Sequence, residues 1–176
     1  MNSYVSQLVT ARVDKDSSFS AASTSPLTAE QRSTFKHLNY YPPNFDLIFE
    51  VKLLSDGRGS RMEIPATGGE MRDAVKAGEF DFKGGGKDAV LHVYRMLGDE
   101  DSTSLFVPFT DETCGKASYA GGRYIDLREN STGTYRLDFN YAYNPYCAYN
   151  HNYSCPIVPE ENHLDVPFEA GETRFQ

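Results

Sequence analysis

A chain of 176 residues falls within the size of one domain, and its net charge of −8 excludes the basic face that a nucleic-acid backbone requires. No apolar run approaches the roughly 20 residues of a membrane span. The start, MNSYVSQLVTARVDKD, lacks the basic lead and apolar core of a secretory signal, so a cytoplasmic protein is expected. With 12 Tyr, 11 Phe and no Trp the aromatics are unusual, and eight of the tyrosines fall between Tyr119 and Tyr153. One domain over 1–176 is expected, with a helical segment to residue 40 and a β domain over 44–176.

Tyr4, Val5, Leu8, Val9 and Arg12 recur at helical spacing and predict an amphipathic helix over 3–16. The Ser/Thr-rich stretch 17–25 reads as a linker. Thr28 with Gln31 fits a capping box, so a second helix is expected to run to about Lys36 and to be ended by Pro42-Pro43. The period then changes to two. Leu47, Phe49, Val51 and Leu53 alternate with Glu50 and Lys52, the pattern of a half-buried strand. Ser55-Asp56-Gly57-Arg58-Gly59 is a turn, and Met62 and Ile64 resume the alternation. Further strands are predicted at about 72–77, 79–82, 89–97 and 104–109. Gly84-Gly85-Gly86 lacks the Lys-Ser/Thr ending of a phosphate loop and has strands on both sides, so it reads as a hairpin turn. The acids Asp99, Glu100, Asp101, Asp111 and Glu112 read as a solvated loop. The fold class predicted is mainly β: an antiparallel meander closed as a barrel or folded as a sandwich, with two short N-terminal helices.

Residues 123–140 are expected to form a hairpin around Ser131-Thr132-Gly133, with Gly133 in the left-handed position. That register sets Ile125 opposite Phe139 and Leu127 opposite Leu137 on an apolar face. The other face carries Tyr124 opposite Asn140, Asp126 opposite Asp138 and Arg128 opposite Arg136. Directly opposed carboxylates lie about 5 Å apart, so Asp126 and Asp138 are either neutralised by the arginines or, if enclosed, form an acid–base pair.

The stretch DFNYAYNPYCAYNHNYSCP follows, with five Tyr and four Asn between Asn140 and Tyr153. Pro145 and Pro156 exclude a long helix. It reads as an ordered cover loop or as the aromatic wall of a pocket. Cys147, His151 and Cys155 invite comparison with a zinc site, which Cys114 or His163 would have to complete, but paired C-x-x-C knuckles are lacking. A short disulfide and two buried thiols are the other readings, and the buried thiols are preferred. No metal and no cofactor are expected. Lys116, Tyr119 and Arg123 around Gly121-Gly122 are suited to holding a carboxylate or phosphate, against the alternative that Arg123 pairs with Asp126 or Asp111.

The strings FVPFTDETCGKASYAGGRYIDL and LDFNYAYNPYCAYNHNYSCPIVPEENHLDVPFEAGE resemble the bacterial and archaeal family called domain of unknown function 1684. The likeness extends back through Thr67-Gly68-Gly69, Ser25-Pro26-Leu27, and Arg12, Lys15, Asp16 and Phe19. Cys114, Ala120 and His163 depart from the family's usual Ser, Gly and Arg, and His151 lies in a variable stretch, which weakens shared roles for these side chains. The resemblance carries no activity with it.

The leading expectation is a small-molecule-binding β domain for a polar or anionic ligand, with no nucleic-acid or membrane partner. Lys116 and Arg123 would hold the charge, Asp126, Asp138, Asn140 and Asn144 would make polar contacts, and Tyr119, Tyr124, Tyr143 and Tyr146 would supply walls. The alternatives are a hydrolase or lyase using Asp126 and Asp138 as acid and base, and a protein-interaction module using the Tyr/Asn loop. None of these features specifies an oligomeric state.

Overall fold

The computed structural model describes residues 3–21, 23–55, 59–98 and 101–175. The centre of the predicted turn at 56–58 and the acids Asp99 and Glu100 lie outside the described residues. The first helix, α1, runs Ser3–Ala21, five residues beyond the predicted end. The serines expected to form a linker continue it: the Ser17 and Ser18 hydroxyls donate to the carbonyls of Val13 (2.9 Å) and Asp14 (3.0 Å). Phe19 is buried with its ring edge on Tyr149 at 5.0 Å, so tertiary packing overrides the local preference of serine for turns. Helix α2 spans Ala29–Thr34 and carries the predicted capping box. It ends before Lys36, well ahead of Pro42.

The strands are β1 Ile48–Lys52, β2 Ser60–Pro65, β3 Met71–Gly84, β4 Lys87–Met96, β5 Ser104–Asp111, β6 Arg123–Arg128, β7 Thr134–Asp138 and β8 His163–Leu164. A large sheet has the order β2-β3-β4-β5-β6, with β8 added in parallel to β5, and β1 pairs with β7 in a second sheet. The architecture is a sandwich, not a closed barrel. The two segments predicted at 72–77 and 79–82 form one strand, β3, interrupted by a register shift between Lys76 and Gly78. Gly85 and Gly86, at φ +58 and +81, make the two-residue turn from β3 to β4, as the glycine run predicted.

Alternation decides what each face buries. Leu105, Val107 and Phe109 of β5 enter the core between the sheets, with Ile125 of β6 and Leu137 of β7. Phe106 points the other way, into a second cluster with Tyr94, Tyr124 and Ile64 on the outer face of the large sheet. Between β4 and β5 the ladder is nearly open: Pro108 offers no N–H, and the two strands register through Tyr94↔Phe106. The buried Asn162 amide fills the gap. It accepts from the His92 N–H (2.9 Å) and donates to the carbonyls of His92 (2.9 Å) and Pro108 (2.6 Å).

The predicted hairpin is corrected. β6 pairs with β5 from Ser104↔Arg128 to Phe109↔Arg123, and β7 pairs with β1 from Ile48↔Asp138 to Lys52↔Thr134. The chain between them crosses from one sheet to the other around Asn130, whose side-chain oxygen accepts from the N–H groups of Thr132 and Gly133. Asp126 and Asp138 are therefore not cross-strand neighbours. Ile125, Leu127 and Leu137 nonetheless face the core, and Tyr124 and Asp126 the other side, as predicted, since period two fixes the face and not the partner.

Candidate functional site

Arg123 opens β6, next to Gly122, whose backbone lies so close to β5 that a Cβ would sit 2.5 Å from the Phe109 carbonyl oxygen. That approach turns the arginine inward, where it is fully buried. One terminal nitrogen donates to the carbonyls of Ala170 and Glu172, and the other to the Phe168 carbonyl (2.9 Å) and to the Asp111 carboxylate (3.3 Å). Asp111 in turn accepts from the Phe168 N–H (2.7 Å) and the Thr113 hydroxyl (2.9 Å). Asp111, expected in a solvated loop, is the buried partner of this clamp. Lys116 lies on the surface and pairs with Glu112 at 3.5 Å. The glycine loop thus does not bring the two cations together.

A second ionic group lies beneath α1. The buried Glu172 carboxylate accepts from Lys15 of α1, from the Tyr149 hydroxyl and from the Asn144 N–H (2.9 Å). Burial, reinforced by Glu172, raises the pKa of Tyr149, so the phenol stays a donor. Arg12 donates to the Tyr41 carbonyl (3.1 Å) and stacks over the Tyr40 ring at 4.3 Å. Asn140 caps the backbone of Asn44 from both sides, at 2.7 and 2.8 Å. The Tyr/Asn loop is tied to the helices as well, with Gln31 donating to the Tyr149 carbonyl (2.8 Å) and Asn150 to that of Pro26 (3.0 Å). Tyr141 and Tyr146 are its exposed large rings.

The concave feature that gathers several predicted residues is a groove of about 560 Å³ on the outer face of the large sheet. Its aromatic wall is a run of edge-on rings, Phe106 to Tyr124 at 4.7 Å and Tyr124 to Tyr143 at 5.8 Å. Tyr143 is joined to β6 by two backbone hydrogen bonds with Tyr124. Its hydroxyl donates to the Asp126 carboxylate at 2.6 Å, and burial followed by that carboxylate raises its pKa. Asp126 is exposed at the groove's rim. Met71, Arg72 and Met96 also line the groove, and Arg72 is engaged by the Ser154 carbonyl (2.7 Å) and Glu70 (3.4 Å).

Asp126 also lines a neighbouring cleft of about 290 Å³, whose other side is formed by Asp138, Arg136 and Tyr4. Asp138 is buried. It accepts from the Tyr4 hydroxyl (3.1 Å), the Asn140 N–H (3.1 Å) and the Asn140 amide (3.0 Å), and lies 3.6 Å from Arg136. The two carboxylates thus share a cleft through different partners. Cys147 and Cys155 are both free and buried, whereas His151 is exposed. Among the described residues no group of three or more His, Cys, Asp or Glu is placed to hold a metal ion. Among them, too, no helix is long and apolar enough to cross a membrane.

Residues 33–173 match the family described as Protein of unknown function (DUF1684). The chain belongs to this family. It is also similar to the uncharacterized protein from gene locus rrnAC0354 of Haloarcula marismortui, known from a solution NMR structure. The two are 36% identical with a TM-score of 0.74, over 97% of this chain and 94% of that one. No curated protein matches.

Within this DUF1684 chain, sequence reasoning found Tyr124, Asp126 and Tyr143 but missed Phe106, Arg72 and Met96 of the same groove. Phe106 had a signal: it stands at the outward position of β5, opposite Asp126, once β5 is known to pair with β6. Arg72 and Met96 had none, since their place in the groove depends on the pairing of β3 with β4 and on the strand order of the large sheet.

Proposed function

We propose that the protein binds a small molecule in the groove formed by Phe106, Tyr124 and Tyr143, with Asp126 at its rim. The observation that carries this is the continuous aromatic wall ending in a carboxylate that Tyr143 holds in place. At about 560 Å³ the groove falls within the range of roughly 300–1,000 Å³ typical of small-molecule sites. Apolar ring surfaces with one fixed carboxylate favour a ligand with an apolar body and a hydrogen-bond donor. An anion is disfavoured here: Lys116 and Arg123 lie elsewhere, Arg72 is engaged by Glu70 and Ser154, and Asp73 adds a second acid to the lining.

Benzamidine and benzoate, one flat ring with opposite charges, test this in a 15N NMR titration. Benzamidine is expected to shift the amides of Tyr124, Asp126, Tyr143 and Arg72, and benzoate to leave them in place. Asp126→Asn is expected to erase the difference. If neither probe moves those amides at millimolar concentration, the groove is not a site of this kind.

A further inference from the structure

The cysteines outside the groove form a site of their own. Cys147 lies in the 3-10 turn Tyr146–Ala148, and Cys155 lies where the chain returns to the end of β2. The Cys147 N–H donates to the Cys155 sulfur at 3.3 Å. The two thiol side chains are also hydrogen-bonded to one another. The Tyr119 hydroxyl lies 3.6 Å from the Cys147 sulfur, and the Thr67 hydroxyl is a third hydrogen-bonding partner. Thr67 also accepts from the Cys155 N–H at 3.0 Å, which fixes both cysteines against one side chain. Two sulfurs in hydrogen-bond contact need only a small approach to reach the bonded length of about 2.05 Å.

We propose that Cys147 and Cys155 are a reversible dithiol–disulfide pair that reduces hydrogen peroxide, Cys147 being the attacking sulfur and Cys155 the resolving one. Asymmetry in the hydrogen bonds assigns the roles. The Cys147 sulfur meets three side chains, those of Cys155, Tyr119 and Thr67, whereas the Cys155 sulfur meets the Cys147 side chain and backbone N–H. The three contacts hold the Cys147 thiol down to about 6 despite burial, while Cys155 is pushed upward. A thiol at that value carries about thirtyfold more thiolate at pH 7 than a free cysteine. At 7% and 8% exposure the two residues suit a small oxidant, and a peroxide is about the size of water.

In the first step the Cys147 thiolate attacks one peroxide oxygen. The S–O bond forms, the O–O bond breaks, and the departing hydroxide takes a solvent proton to become water. In the second step the Cys155 sulfur attacks the sulfenic sulfur of Cys147. The S–S bond forms, the S–O bond breaks, and hydroxide leaves with the Cys155 proton as a second water. Two thiols lose two electrons and one peroxide gains them; an external dithiol reverses the oxidation.

Thiol counting in denaturant after hydrogen peroxide treatment of the full chain tests the pair. Of the 3 cysteines, two are expected to disappear, to return with dithiothreitol, and to map to a Cys147–Cys155 linked peptide. Cys155→Ser is expected to accumulate a dimedone-reactive sulfenic acid at Cys147, and Cys147→Ser to give no label. Tyr119→Phe keeps both sulfurs and is expected to slow peroxide consumption at pH 7 several-fold. Retention of all three thiols in the wild type, a bond to Cys114, or dimedone on Cys155 would each overturn the proposal. The wild-type count and peptide map do not depend on any variant folding.

Discussion

At the scale of single residues, the consequential side chains are polar and buried, and Arg123 leads them. Its guanidinium closes the C-terminal segment onto β5 through three carbonyls and Asp111. Removing one member of a buried ion pair leaves the other charge uncompensated and costs about 3–5 kcal/mol. Arg123→Met is therefore expected to lower stability by about that amount, because it strands the Asp111 charge and the carbonyls of Phe168, Ala170 and Glu172 together. Asp111→Asn keeps an acceptor and the Thr113 contact, and is expected to cost clearly less. Urea denaturation of the two variants checks the order, and equal losses would contradict the role of the carbonyls. The sequence named Asp111 as one partner of Arg123 yet also placed it among solvated acids. Composition shows that acids cluster, but only the backbone turn after Phe109 decides which of them points inward.

Elements were legible where their signal is local. The Thr28–Gln31 box, the glycine turn at Gly85-Gly86 and the inward faces of β1, β6 and β7 all depend on neighbours within a few residues. The pairing of β6 with β5 and of β7 with β1 depends on contacts far along the chain, and the two aspartates lost their expected opposition for that reason. Asn162 shows the same limit: nothing in PEENH announces that its amide replaces ladder bonds beside Pro108. Asn162→Ala leaves the His92 N–H and the carbonyls of His92 and Pro108 without that partner, and orphaned buried groups cost about 1–3 kcal/mol each. A loss on the order of 3 kcal/mol is expected, with the His92 amide exchanging far faster while the β2–β3 amides stay protected. An unchanged His92 protection factor would show that the β4–β5 seam holds without the amide.

Across the whole molecule one device recurs: a tyrosine hydroxyl donating to a carboxylate from another part of the chain. Tyr4 of α1 reaches Asp138 (3.1 Å), Tyr94 of β4 reaches Glu161 (2.6 Å), Tyr143 reaches Asp126 (2.6 Å) and Tyr149 reaches Glu172. These contacts pin the N-terminal helix, the C-terminal segment and the cover loop to the sheets. Their pKa values are all raised above the ordinary 10.0, by burial first and by the carboxylate next. The sign of the linkage follows. A phenol whose folded pKa exceeds its unfolded value stabilises the fold fully below pH 10, and that contribution is lost as the pH rises above it. Folding stability is therefore expected to hold up to about pH 9 and to fall steeply beyond pH 10. Tyrosinate absorbance at alkaline pH should then appear in two stages. The four carboxylate-bound phenols should ionise last, in one cooperative step that coincides with loss of the β-sheet circular dichroism. Gradual ionisation of all 12 tyrosines near pH 10, with the sheets intact, would show that these pairs are not what holds the helix, the cover loop and the sandwich together.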